Sequence, residues 1–131
     1  MVSQSLSGRT ILIVEDFDDT RMMMRMLLEM EGCRVLEAAD GREAVEIARE
    51  RPGDLDLILM DLTMPVLDGY EATRRILARP ETHDIPVVAV SAHCDAEHEG
   101  AALAAGCRAC VGKPVDFDLL TELVGRYARG A

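Results

Sequence analysis

The groups in this chain that could do chemistry are an acidic pair, Glu15-Asp16, a single Asp61, the Ser91 hydroxyl and the Lys113 ammonium. Each one ends or follows a short apolar run. Three carboxylates gathered in one place repel, and at least one pKa should rise unless a cation binds. A hard divalent ion with oxygen ligands removes that conflict. Mg²⁺ takes one or two carboxylates, keeps waters and leaves room for phosphate oxygens. Glu15, Asp16 and Asp61 fit that requirement. Lys113 then offers a point charge for a phosphoryl oxygen, and Ser91 a hydroxyl donor. A carboxylate can itself accept a phosphoryl group as an acyl phosphate. In such a transfer the protein mostly positions the groups and neutralises charge. Asp61 is the best nucleophile candidate because it ends the most apolar run, residues 55–60 (LDLILM). Glu15 or Asp16 would then serve the metal. Taken singly these groups are weak signals. Acids after a strand often only cap the next helix, as Asp18 and Asp19 are expected to do, and a single lysine is commonly just solvated. The specific signal is four strands that each deliver a suitable group to the same edge.

The elements that must position them can be read from hydrophobic period. Strands are expected at 10–14 (TILIV), 34–38 (RVLEA), 55–60, 86–90 (PVVAV) and 107–111 (CRACV). Helices are expected at 18–31, 40–51, 68–78, 95–105 and 116–129. Asp40-x-x-Glu43 and Asp68-x-x-Glu71 read as capping boxes, and Asp116 can cap the last helix. Gly32 and Gly106 suit the left-handed residue that follows a helix. Alternating strands and helices imply a parallel sheet covered on both faces. TILIV, LILM and PVVAV are apolar throughout, as central strands should be, whereas RVLEA and CRACV carry charge and belong at the edges. With right-handed crossovers the simplest order is 2-1-3-4-5, a flavodoxin-like (βα)5 doubly wound α/β fold. Ligands of such sheets bind outside the carboxyl ends of the strands, near the switch between strands one and three. One domain is expected over 9–131, preceded by a flexible tail at 1–8.

The 131 residues are enough for one domain with a sizeable core, and 49% hydrophobic content excludes general disorder. Only 3% are aromatic, so aliphatic side chains must build the core. A net charge of −10 argues against nucleic-acid binding, which needs a basic face. No apolar run reaches the roughly 18 residues of a membrane span, and residues 1–10 are too polar for a secretory leader. Cys33, Cys94, Cys107 and Cys110 then read as free thiols in a reducing, cytoplasmic protein. Cys107-x-x-Cys110 has no second ligand pair, and on a strand its thiols would face opposite ways, so packing is the expected role. The absence of G-x-G-x-x-G after the first strand disfavours a nucleotide site.

Val14-Glu15-Asp16, the segment from Asp61 through Met64-Pro65 to Asp68-Gly69, Val90-Ser91-Ala92 and Lys113-Pro114 together resemble the receiver domain of two-component response regulators. The likeness covers about residues 9–127. It implies that Asp61 is the phosphoacceptor for a histidine kinase or histidine phosphotransfer protein. It implies Mg²⁺ held by Asp16, Asp61 and the Thr63 backbone carbonyl, with Glu15 reaching the ion through water. Ser91 would be the switch hydroxyl, Lys113 the partner of the phosphoryl group, and Lys113–Pro114 a cis peptide. Thr63 and His93 would tune access of hydrolytic water. Such a chain is a signalling domain with self-catalysed phosphotransfer and autodephosphorylation rather than a conventional enzyme.

Receivers usually carry an aromatic switch residue three positions before the lysine, and this chain has Cys110 there. A thiol cannot reproduce a large aromatic rotamer change, so coupling of Ser91 to the face of helix four, strand five and helix five is expected to be weaker or built differently. Helix four is small-sided (Gly100, Ala101, Ala102, Ala104, Ala105) and is expected to shift easily. On helix one, Met24, Leu27 and Leu28 form the buried stripe. Met22, Met26 and Met30 form a second stripe, read either as extended core or as a soft docking surface for a partner's helices.

With no output domain after helix five, output is expected through protein contact as a monomer or weak dimer, or the chain is a phosphate sink. Alternatives are a receiver excised from a hybrid histidine kinase and a phosphorylation-independent scaffold. A hydrolase of the haloacid dehalogenase type is disfavoured, because Thr63 stands where that family wants a second acid.

Overall fold

The computed structural model describes residues 6–64 and 66–129. Five strands, β1 (Thr10–Val14), β2 (Arg34–Ala38), β3 (Leu57–Asp61), β4 (Val87–Ser91) and β5 (Ala109–Gly112), alternate with five helices. These are α1 (Asp18–Met30), α2 (Gly41–Glu50), α3 (Gly69–Leu77), α4 (Ala96–Ala105) and α5 (Phe117–Tyr127). The strands form one parallel sheet in the order β2-β1-β3-β4-β5. The flavodoxin-like order expected from charge placement is therefore the observed one. Every residue of β3 and β4 is buried, while edge strand β2 is mostly half-exposed.

Because successive strand residues point to opposite faces, the sheet divides its side chains between two cores. Ile11, Ile13, Leu57, Leu59, Val88 and Val90 pack with Met24 and Leu28 of α1 and Leu120, Leu123 and Val124 of α5. Leu12, Val14, Ile58, Met60, Val87 and Ala89 pack with Ala44, Val45 and Ala48 of α2, Ala72 and Ile76 of α3, and Ala102 of α4. Burial of this aliphatic surface, at roughly 25 cal/mol per Å², is the main force holding both layers to the sheet.

The three expected side-chain caps, Asp40, Asp68 and Asp116, are present, and Asp95 adds a fourth that the sequence reading did not name. Asp40 accepts from the Glu43 N–H at 2.8 Å, and Glu43 Oε1 accepts in turn from the Ala39 N–H, one residue before the N-cap, in a variant of the box. Asp68, Asp95 and Asp116 accept from the N–H three residues on. Helix α1 departs from expectation. Its N-cap is Phe17, with no side-chain cap, and Asp18 and Asp19 lie inside the first turn. There they act on the helix's positive end instead. Gly106 closes α4 at φ 113, where a Cβ would be disfavoured.

Three other expectations need correcting. Cys107 precedes β5 rather than opening it, so the alternation rule does not apply, and Cys107 and Cys110 join the same core. Helix α5 stops at Tyr127, because the Arg129 N–H binds the Asp56 carbonyl at 2.8 Å and its guanidinium reaches the Leu55 and Pro52 carbonyls. Of the expected tail at 1–8, residues 1–5 lie outside the described residues. Leu6, however, is fully buried and the Gly8 N–H binds the Gly32 carbonyl at 3.0 Å, so the chain is tied to the fold from Leu6 onward although Ser7 and Gly8 are exposed. Among the described residues no helix is long and apolar enough to cross a membrane.

Candidate functional site

Strand register fixes where the chemical groups emerge. Val14 pairs with Met60, so Glu15 leaves β1 level with Asp61. Asp61 pairs with Val90, so Ser91 lies one step further out, and Ser91 pairs with Gly112, so Lys113 lies one step beyond that. The Lys113 N–H continues the ladder to the Ser91 carbonyl at 2.8 Å. These steps place the groups at the carboxyl edge, beside the β1/β3 switch.

Glu15 and Asp61 are 2% and 5% exposed, whereas Asp16 is open to solvent. One carboxylate oxygen from each of the three can be chosen so that all lie within 4.8 Å of one another. Asp61 Oδ1 accepts from the Thr63 N–H at 3.2 Å. Lys113 Nζ donates to Glu15 Oε1 at 2.6 Å and lies 3.5 Å from Asp61 Oδ2. Glu15 Oε2 accepts from the Phe17 N–H at 3.1 Å. A cavity of about 230 Å³ opens over this cluster, lined by Glu15, Asp16, Phe17, Asp61, Thr63, Ala92, His93 and Lys113. The Lys113–Pro114 peptide is cis.

The electrostatics follow from this crowding. Burial, and then the charge of Glu15, push the Asp61 carboxyl up to about 6, against the partial relief given by Lys113 and the Thr63 N–H. Burial works to lower the Lys113 pKa, but the bond to Glu15 and the charge of Asp61 outweigh it and raise the ammonium above its ordinary value. One lysine thus leaves the acid cluster short of positive charge. The donor set is entirely oxygen, small and negatively charged, which fits a hard divalent ion such as Mg²⁺ and not a soft metal.

Ser91 is buried and does not line the cavity; its Oγ accepts from the His93 N–H at 3.1 Å. His93 itself lines the cavity, as Thr63 does, and its ring stacks on His98 at 5.6 Å. Cys110 is away from the acids, with its Sγ 2.6 Å from that of Cys94. Met22, Met26 and Met30 are all exposed, while Met24 and Leu28 are buried and Leu27 is half-buried.

One positioning residue escaped the sequence reading, and a second entered it only as the end of a motif, with no role given. Arg21 donates to the Glu15 carbonyl at 2.7 Å, to Glu37 Oε1 at 3.1 Å and to Asp18 Oδ1 at 2.6 Å, tying α1 to the end of β1 and to β2. An arginine one turn into an acid-rich helix start was the available signal. Gly69 is the other. A Cβ there would stand 2.1 Å from the Asp61 carbonyl oxygen, so α3 begins in direct contact with the strand that carries the acid.

Comparison with known proteins agrees with this geometry. The family model of the response regulator receiver domain matches residues 11–125. The polar-differentiation response regulator DivK of Brucella anthropi is 34% identical over 120 residues, covering 91% of this chain and 95% of the relative. The receiver domain of sensor histidine kinase PA1611 from Pseudomonas aeruginosa, solved with magnesium in its active-site cleft, superposes with a TM-score of 0.84. It is 35% identical and covers 92% of this chain and 98% of that one. The Saccharomyces cerevisiae receiver domain of Ssk1, solved with the phosphotransfer protein Ypd1, gives a TM-score of 0.82 at 30% identity, covering 92% and 89%. With the sheet order, the acidic edge and these likenesses in agreement, the chain belongs to the response regulator receiver domain family.

Proposed function

We propose that this receiver accepts a phosphoryl group on Asp61 from a phosphohistidine of a kinase or phosphotransfer protein, in a Mg²⁺-dependent reaction, and signals by protein contact. The observation that carries the proposal is the setting of Asp61, a nearly buried carboxylate in an open acidic cavity with one oxygen held by the Thr63 N–H and the other facing Lys113. An Asp61 oxygen attacks phosphorus as the P–N bond to the donor imidazole breaks, and the bonding pair leaves with the imidazole. Asp16, Asp61 and the Thr63 carbonyl would hold the ion, with Glu15 behind them. When bound, the ion supplies the positive charge that the phosphoryl oxygens and the acids both need. Lys113, tethered by Glu15, lies beside the site that a phosphoryl oxygen would occupy. Ser91 would turn from the His93 N–H toward that oxygen, and Thr63 and His93 would govern how water reaches the acyl phosphate.

Partner docking is assigned to the exposed methionines of α1. Phe17 and Met23 also line an apolar cavity of about 430 Å³ that touches Lys113, so a helix bearing the donor histidine could cover both. The free thiols and acidic surface suit a cytoplasmic setting.

The test is to treat the protein with a small phosphoryl donor and Mg²⁺ and map the product. One phosphoryl group on Asp61 of the wild type and none on Asp61→Asn is expected. Labelling elsewhere, or undiminished labelling of the variant, overturns the assignment.

A further inference from the structure

All four cysteines are free, but their surroundings differ. The Cys33 thiol donates to the Leu6 carbonyl at 3.4 Å, and Cys107 lies against the Thr73 hydroxyl at 3.9 Å. Cys94 and Cys110 instead face each other, Sγ to Sγ, at 2.6 Å. A disulfide would need them to close by only about half an ångström, to roughly 2.05 Å. Cys94 is half-exposed in the loop between β4 and α4, three residues after Ser91, whereas Cys110 is buried on β5.

We propose that Cys94 and Cys110 are a redox pair that a hydroperoxide converts to a reversible disulfide, clamping the β4–α4 loop onto β5. The half-exposed Cys94 is the thiol that a small oxidant reaches. Its thiolate attacks the terminal peroxide oxygen, the O–O bond breaks and the alkoxide leaves as alcohol, giving a sulfenic acid. Cys110 sulfur then displaces hydroxide from that sulfenic acid, losing its own proton, and the S–S bond forms with release of water. Two thiols are oxidised by two electrons while one hydroperoxide becomes one alcohol and one water. Burial, with the contact to Cys94, pushes the Cys110 thiol up to about 12. That keeps it protonated and inert to peroxide on its own, which suits a resolving partner.

The disulfide would restrain residues that matter to the cavity. The loop carries Ala92 and His93, which line it, and the His93 N–H holds the Ser91 hydroxyl. Helix α4 begins directly after the loop and its buried residues are only two alanines, Ala102 and Ala105, so the clamp would act on a helix that buries little side-chain surface. The consequence for phosphorylation rests on the reading of Asp61 above; the bond itself does not.

The test exposes the reduced, full chain to hydrogen peroxide, followed by thiol titration and peptide mapping without reductant. Two of the four thiols should disappear, a Cys94–Cys110 linked peptide should appear, and dithiothreitol should restore both thiols. Cys94→Ala should abolish the linked peptide, whereas Cys33→Ala should leave it. Hydrogen exchange in residues 92–95 and at the start of α4 should slow several-fold in the oxidised wild type and stay unchanged in peroxide-treated Cys94→Ala. A linkage through Cys33 or Cys107, no intramolecular linkage, or unaltered exchange after linkage overturns the proposal. None of these readouts involves Asp61 or phosphate, so they fail or succeed separately from the phosphoacceptor assignment.

Discussion

Helices α1 and α4 both start at the acidic cavity, one on each face of the sheet, yet they are held in opposite ways. Helix α1 buries Met24 and Leu28 against the core and is pinned at its start by Arg21, which reaches β1 and β2. Its outer face carries the large exposed methionines. Helix α4 buries only Ala102 and Ala105, leaves Leu103 about half exposed, and owes its start to one Asp95 cap. An alanine contributes little apolar area, so α4 is docked by far less free energy than α1. The cavity therefore has one fixed rim, which suits docking, and one weakly docked rim, which suits movement. A signalling site needs both, and here they are divided between side-chain size on one helix and its lack on the other.

That contrast can be broken most sharply in the core. Leu28→Ala should cost about 3 kcal/mol in urea unfolding, the usual scale for a buried leucine. Leu103→Ala on α4 should fall within about 0.5 kcal/mol of wild type. Similar costs at the two sites would remove the asymmetry. The acid floor shared by both rims gives the next effect. Asp61 takes its proton more tightly in the folded state, about 6 against an ordinary 3.8. It therefore contributes stability below about pH 4 that is lost as pH rises through 6, and at neutral pH the ionised form is unfavourable in the folded protein. Asp61→Asn should then be more stable than wild type by about 1–2 kcal/mol at pH 7.5, after allowance for solvent screening in the cavity. The gain should vanish near pH 4. Mg²⁺ should raise the melting temperature of the wild type more than that of the variant.

A smaller effect is expected at the pinned start of α1. Arg21→Ala removes three hydrogen bonds from a mostly buried guanidinium and should cost about 1–2 kcal/mol, with exchange rising across the first turns of the helix. The smallest belongs to α4. Asp95→Ala should leave the unfolding midpoint nearly unchanged while amide exchange quickens within α4 alone. Spread of that change into β4 would show the helix to be more tightly coupled than its packing implies.

Most of the sheet was legible because burial writes itself into sequence. TILIV, LILM and PVVAV could only be central strands, and the charges of Arg34, Glu37 and Arg108 marked the edges. The acid cluster was legible for a related reason, since strand ends at one edge must share a crevice. Less visible was anything set by distance across the chain. Glu15 and Lys113 are 98 residues apart, and nothing local shows that the lysine rests on Glu15. The same holds for Arg21 on the Glu15 carbonyl, for Cys94 against Cys110, and for Arg129 turning away from α5 to the carbonyls that precede β3. Leu6 was hidden by polar neighbours on a short segment, where one buried side chain makes no pattern.

Gly69 carries a consequence beyond packing. With α3 seated against the Asp61 carbonyl, even a single methyl group at position 69 would have to displace either the helix or the strand end by more than the separation tolerates. Such a replacement would shift α3 or the Asp61 end of β3 while removing no polar atom of the cavity. Position 69 is thus a place where inheritance is constrained by volume alone, and a screen for loss-of-signal variants should return it beside the acids although it holds no reactive atom.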